Sequence, residues 1–244
     1  MAWLLLSLAS GLTLAASKPA DTPDDTNAIR VLLAPKLETT LSSQMNGALT
    51  DLKVSLGKRV AKSAVLVQLD CAEVKARAGV ATAELNLARQ NLEAKKGLQK
   101  LNAAGDIEVA AMQTEVDKAS GTLALTRAQL GYCQITAPFA GRVAKVYVKP
   151  YQTVSTGTPL LDLVSDGPLK VRMNVPSALL GKLKPGTALD VNIHETGKSY
   201  PAHISVVNAR VDAVAQTVEV EAQLDKENPE LIAGMSGTAR ISGQ

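Results

Sequence analysis

Between residues 72 and 131 apolar side chains recur every third or fourth position, whereas on either side they alternate with polar ones. Val74, Ala78, Ala81, Leu85, Ala88 and Leu92 are spaced 4-3-4-3-4. Val109, Met112, Val116, Ala119, Leu123, Thr126 and Leu130 are spaced 3-4-3-4-3-4. Both runs are coiled-coil seams. The segment contains no proline and is rich in Ala, Leu, Glu, Lys and Gln, all good helix formers. It breaks at Asn102-Ala103-Ala104-Gly105-Asp106, where Asn and Gly suit a helix C-terminus and Asp106 can cap the next helix. The spacing predicts an antiparallel helical hairpin over residues 72–131 with a reach of roughly 40–45 Å. The apolar repeat falters from Lys95 to Leu101, so the tip is expected to pack less regularly.

The flanking segments resemble each other at an offset of 94 residues, without a gap. Gly47–Asp70 reads GALTDLKVSLGKRVAKSAVLVQLD and Gly141–Val164 reads GRVAKVYVKPYQTVSTGTPLLDLV. Gly47/Gly141, Val54/Val148, Val60/Val154, Leu66/Leu160 and Leu69/Leu163 are identical, and Leu49/Val143, Leu52/Val146 and Val67/Leu161 are conservative. Identity falls on glycine and apolar positions, the ones a fold dictates. Each copy reads as short alternating strands with turns between them. One copy is too short to bury its own apolar face, but two packed together form a small β-sandwich.

From Pro168 a third pattern begins. Leu169, Val171, Met173 and Val175 alternate with polar residues, as do Leu189, Val191 and Ile193, and again Val218, Val220, Ala222 and Leu224. These are half-buried antiparallel strands. Residues 178–183 can form a short helix before the Pro185-Gly186 turn, and the whole suggests a small β-barrel. The expected fold is mainly β with an α-helical coiled-coil hairpin. Residues 31–71 and 132–166 form the split sandwich, 72–131 the hairpin insert and 167–244 the C-terminal barrel.

The start of the chain adds a compartment. Trp3–Ala16 is an uncharged apolar run, too short for the ~30 Å hydrocarbon core, and small residues follow at Ala15, Ala16 and Ser17. Residues 1–17 read as a secretory signal peptide. A short anchor or a buried N-terminal helix is the alternative. The polar stretch from Lys18, with two Pro and three Asp by Ala28, makes 18–30 a linker.

Composition removes several functions. The net charge is +3, from 26 basic and 23 acidic residues, which gives no concentrated patch for nucleic acid. Aromatics at 2% leave no base-stacking platform. Two His and two Cys are too few for a Cys/His metal cluster, and His194 and His203 read as barrel-surface side chains. No nucleophile triad, paired carboxylates, phosphate loop or HExxH appears. Neither an enzyme nor a cofactor is expected.

Four phrases carry a resemblance. Thr136-Ala137-Pro138-Phe139-Ala140-Gly141-Arg142-Val143 with Gly157-Thr158-Pro159-Leu160 resembles the second half-motif of the periplasmic adaptor subunits of efflux pumps, the HlyD-like membrane fusion protein family. Gly57-Lys58-Arg59-Val60 through Leu69-Asp70 resembles the first half-motif, and Ala233-Gly234-Met235-Ser236-Gly237 the loop near the end of that family's barrel. The resemblance spans residues 30–242. It implies a lipoyl-like character for the split sandwich and a periplasmic location, held at the inner membrane through a partner. The implied partners are an inner-membrane transporter, of resistance-nodulation-division (RND) type, and an outer-membrane channel. It also implies self-association, as hexamers.

Larger members of the family add a membrane-proximal domain built from both chain ends. Residues 18–30 and 242–244 are too few to build one in full. The family's tip motif has Arg, Leu four residues on and Ser seven further. Its register here holds Gly97, Leu101 and Glu108, so only Leu101 fits. Lys96, Gly97, Lys100, Leu101, Gly105, Asp106 and Glu108 are the candidate tip contacts, with Lys95 as further positive charge. Lipoyl and biotinyl carriers modify a lysine at a tight turn joining the two halves, and here the helical hairpin occupies that point, so no carrier role is expected.

Cys71 ends the first β-half and Cys133 begins the second, so a closed hairpin brings them together. In an oxidising compartment a disulfide is expected; two buried free thiols are the alternative. A second functional reading is a periplasmic binding or regulatory module that uses the hairpin for contact without building a conduit.

Overall fold

The computed structural model describes residues 28–241. The signal peptide expected at 1–17 and most of the linker lie outside the described residues. Among the described residues no helix is long and apolar enough to cross a membrane.

The repeat folds as two four-stranded sheets. β1 is Ile29–Ala34, β2 Glu38–Ser42, β3 Gly47–Leu52, β4 Arg59–Val60 and β5 Val65–Leu69. After the hairpin come β6 Gln134–Thr136, β7 Gly141–Val146, β8 Thr153–Val154 and β9 Pro159–Ser165. One sheet has the order β2-β9-β7-β4 and the other β6-β5-β3-β8. Each copy therefore lends a short strand to the other's sheet. Shifting the chain by the repeat turns β3 into β7, β4 into β8, β5 into β9 and the start of β2 into the approach to β6. The same exchange maps each sheet onto the other, which is a pseudo-two-fold.

The physical cause is visible in the burial. Val54, Val60, Leu66, Leu69, Leu49 and Val67 are all buried, and so are their counterparts Val148, Val154, Leu160, Leu163, Val143 and Leu161. They form one core, which neither copy could enclose alone. Even the turns correspond. Gly57 at φ 76° matches Tyr151 at 66°, and Ser63 at 65° matches Gly157 at 86°. The turn demands the left-handed conformation, and at each position one copy meets it with a residue other than glycine.

The barrel differs from its expected bounds. β10 is Lys170–Pro176, a short 3-10 helix covers Ser177–Lys182, and β11 is Ala188–Ile193, β12 Lys198–Asp212, β13 Thr217–Leu224 and β14 Ser236–Ile241. The closed order is β1-β10-β13-β12-β11-β14. Strand β1 thus belongs to the barrel, whereas the sequence pattern places residues 29–30 in the linker and 31–34 in the sandwich. Its alternation buries Ile29, Val31 and Leu33 in the barrel core, and it fills the gap between β10 and β14. Without it the barrel would keep two open edges. The segment that resembles a terminal loop leads straight into β14.

Two chain crossings join barrel to sandwich. The Leu37 N–H donates to Ser165 Oγ at 3.0 Å, and the Ser165 N–H donates back to the Leu37 carbonyl at 2.9 Å. Next to them the Asp166 carboxylate accepts from Arg59 at 2.6 Å and Arg142 at 3.3 Å.

Candidate functional site

Helix α1 spans Ala72–Lys100 and α2 spans Asp106–Gly131. At ~1.5 Å per residue the longer helix reaches about 43 Å. Ala81, Leu85 and Leu123 form its small core with Val116 and Ala119 against them. Every seam residue read from the sequence is buried or half-buried.

The base is covalent. Cys71 and Cys133 form a disulfide with Cα atoms 6.0 Å apart. It lies where β5 and β6 end their pairing, with the Leu69 N–H donating to the Cys133 carbonyl at 2.9 Å. Cys71 precedes Ala78 by seven residues and Cys133 follows Thr126 by seven, so both cysteines fall on the seam.

At the tip the spacing does not falter. It runs on through Lys95 and Gln99, both half-buried, but its chemistry turns polar. Lys95 Nζ meets Glu108 Oε1 at 3.1 Å, and Gln99 Nε2 donates to Asp106 Oδ1 at 2.7 Å. Asn102, at φ 58°, ends α1, with the Ala103 N–H reaching back to the Leu98 carbonyl at 2.8 Å. Asp106 does not cap α2. Gly105 holds the cap position, and the Glu108 carboxylate accepts its N–H at 3.0 Å. Asp106 is free for Gln99 because Glu108 has taken over the cap. The Gly105 N–H, and then Lys95, hold the Glu108 carboxyl below its ordinary value.

Of the candidate tip residues Gly97, Lys100, Leu101, Gly105, Asp106 and Glu108 are exposed and Lys96 is half-buried. Leu101 is 75% exposed, while Lys96 pairs with Glu93 at 3.0 Å on its own helix. Sequence reading missed Ile107, 86% exposed, and Leu98, 43% exposed. Both lie off the seam, and an apolar residue off the seam is the signal that was available.

The same signal runs the length of the hairpin. Two residues beyond each seam position is about 200° round the helix, the opposite face. On α1 that face carries Ala76, Val80, Ala83, Leu87, Gln90, Ala94, Gly97 and Leu101; on α2 it carries Ile107, Ala111, Thr114, Lys118, Gly121, Leu125, Ala128 and Tyr132. All sixteen are exposed. Each helix thus bears a second heptad stripe, small or apolar except at Gln90, Thr114 and Lys118, that the chain itself does not cover. The charges differ as well. α1 has six cationic and three anionic side chains, whereas α2 has two cationic and four anionic.

Among the described residues there is no group of three or more His, Cys, Asp or Glu that could hold a metal ion. His203 Nδ1 lies 2.8 Å from Asp225 on the barrel surface. Thr40 and Tyr147 both donate to Asp162 at 2.6 Å on the outer face of the sandwich. The Tyr147 bond leads the causes that raise its phenol above the ordinary value.

Comparison with known proteins gives a consistent picture. The family model for the barrel-sandwich hybrid domain of RND membrane fusion proteins matches residues 38–165. A Haemophilus influenzae protein without an assigned role is 27% identical over 213 residues, covering 86% of this chain and 56% of its own length. The macrolide export protein MacA of Yersinia pestis is 23% identical over 236 residues, covering 84% of this chain and 64% of its own. The chain therefore spans somewhat over half the length of these relatives. Among solved structures, a MacA–MexA chimera carrying the Pseudomonas aeruginosa MexA hairpin superposes with a TM-score of 0.80 at 20% identity, over 88% of this chain and 79% of that one. The membrane fusion protein Spr0693 of Streptococcus pneumoniae gives 0.75 at 17% identity, over 89% of this chain and 99% of that one. At these identities the structural likeness bears on the fold alone.

Proposed function

Because the chain belongs to the RND membrane fusion protein family, we propose that it is a periplasmic adaptor subunit that links an inner-membrane efflux transporter, of RND type, to an outer-membrane channel. The observation that carries this reading is the second heptad stripe on each helix. A lone hairpin has no use for two apolar faces. A hairpin standing between two neighbours uses both. The cationic balance of α1 and the anionic balance of α2 favour α1 of one copy against α2 of the next. That contact is heterologous, the kind that builds a ring when the rotation between copies closes. Several copies are needed, since one hairpin cannot enclose a passage, and hexamers are what the family resemblance implies. The tips, with Leu98, Leu101 and Ile107 outward, then face the channel. The role is geometric and calls for no chemistry from the protein.

The test is to tag the protein in its native cell, cross-link lightly and identify what co-purifies from membranes. Recovery of an inner-membrane transporter together with an outer-membrane channel supports the adaptor role and names the pump. Recovery of soluble periplasmic proteins alone sinks the conduit.

A further inference from the structure

The hairpin is held at its base by the disulfide beside the Leu69–Cys133 backbone hydrogen bond, with little apolar packing in the layers just above. Counted from the disulfide, the seam layers are Cys71 with Cys133, Val74 with Leu130, Ala78 with Thr126 and Ala81 with Leu123. The first layer is covalent. The next is only half-buried, and the third sets an alanine against a threonine whose hydroxyl is turned back to the Thr122 carbonyl at 2.9 Å. Neither contributes much apolar burial. The first fully apolar, buried layer is Ala81 with Leu123, nearly three turns from the sandwich. A two-helix hairpin with so thin a seam is marginal by itself.

We propose that the Cys71–Cys133 pair is a redox gate on the hairpin: the thiol form has splayed, exchanging feet, and oxidation fixes the two helices in the register that assembly needs. The step is a thiol–disulfide exchange. The two cysteine thiols lose two electrons and two protons to a disulfide-bearing oxidant. The oxidant leaves as a dithiol, and the new bond joins the Sγ atoms of Cys71 and Cys133. Once formed, the bond is only 6% and 4% exposed at its two residues, which hinders attack by a thiolate. The gate therefore works in one direction. A chain still in a reducing compartment holds a loose hairpin, and a chain that has reached an oxidising one holds a rigid one. The gate on the hairpin stands on this chain alone. Its consequence for ring formation rests on the adaptor reading.

The test compares the oxidised protein with the C71S/C133S variant by hydrogen exchange, with sedimentation over a concentration series in parallel. Amides of residues 74–82 and 123–131 should exchange at least about ten-fold faster in the variant, while those of β10 and β13 stay unchanged. Unchanged protection at the feet overturns the gate. Should the variant fail to fold, the oxidised protein is reduced with an excess of a phosphine, which needs no thiolate, and alkylated, and the same comparison is made with the barrel amides as the control. In the sedimentation series the oxidised protein should associate and the variant should not; equal association overturns the gating of assembly. Absence of association in both overturns the ring, and the exchange data still decide the gate on the hairpin.

Discussion

Gly141→Ala and Gly47→Ala are the same substitution at positions related by the repeat, and they should behave in opposite ways. Gly141 opens β7 and pairs with Ser165 of β9 and Val60 of β4. A Cβ there would overlap the Val164 carbonyl oxygen and lie 2.9 Å from its carbon and 3.1 Å from Ser165 Cα. These are backbone atoms of the neighbouring strand, so no side chain can rotate out of the way. β9 would have to move, and it carries Leu160, Leu161 and Leu163, all fully buried. Overpacking of this kind costs about 1–3 kcal/mol and sometimes more. At Gly47 the nearest atom is the Asp70 carbonyl oxygen at 3.7 Å, an ordinary contact. There the loss of unfolded-chain freedom should stabilise by about 0.4–1 kcal/mol. The two variants should therefore differ by roughly 1.4–4 kcal/mol, some ten-fold or more in an equilibrium constant. Barrel and sandwich have separate cores, so a whole-chain melt would mix two transitions. Hydrogen exchange of the β7 and β9 amides reads the sandwich directly. Equal protection in the two variants would refute the argument that close approach, and not turn geometry, puts a glycine at 141.

Two further outcomes follow from local geometry. Ser63→Gly, which copies what Gly157 does in the other half, relieves a left-handed residue and should stabilise the sandwich by about 0.5–1 kcal/mol; hydrogen exchange of the β5 and β9 amides that shows no gain in protection would place the cost of that turn elsewhere. The folded-state pKa of Glu108 lies below its ordinary value, so its tip contribution is complete above the ordinary glutamate range and is lost as pH falls through the depressed value. Exchange at the amides of residues 103–109 should accordingly rise below about pH 4.3 in the native chain and be pH-independent, beyond intrinsic chemistry, in Glu108→Gln.

Much of this architecture was legible because the repeat places identical residues where a core needs them. Leu66/Leu160 and Leu69/Leu163 could be read as buried before any coordinate was known, since only burial in two equivalent places explains both pairs. The seam of the hairpin was legible for the same reason. Strand β1 was not. Ile29, Val31 and Leu33 alternate correctly, but six residues next to a linker do not say which of two β-modules they complete. That is decided by a vacancy between β10 and β14, strands 60 residues apart in sequence. The tip was misread where polar residues continue an apolar period. Lys95 and Gln99 keep the spacing and exchange burial for hydrogen bonds, a substitution that hydrophobicity cannot register. The outer stripes were overlooked because an exposed leucine taken singly means little; Leu87 and Leu125 acquire meaning only from their position two residues beyond the seam.

The pseudo-two-fold also explains why this sandwich can carry a module at each of two exits. The chain leaves β5 for the hairpin and returns at β6, which lies beside β5 in the same sheet. The repeat maps that exit onto β9 and β2, which lie side by side in the other sheet. There the chain leaves for β10 and has arrived from β1, both strands of the barrel. Hairpin and barrel thus occupy equivalent positions, and each hangs on two adjacent antiparallel strands instead of a single linker. The two necks are secured differently. A disulfide closes the one below the hairpin, and the Leu37–Ser165 hydrogen bonds with Asp166 between Arg59 and Arg142 close the other. A covalent clasp suits a long lever whose register must be kept over 29 residues of helix. The barrel needs no such register, because its closed sheet already fixes it internally, so hydrogen bonds and a carboxylate held by two guanidinium groups are enough at its neck.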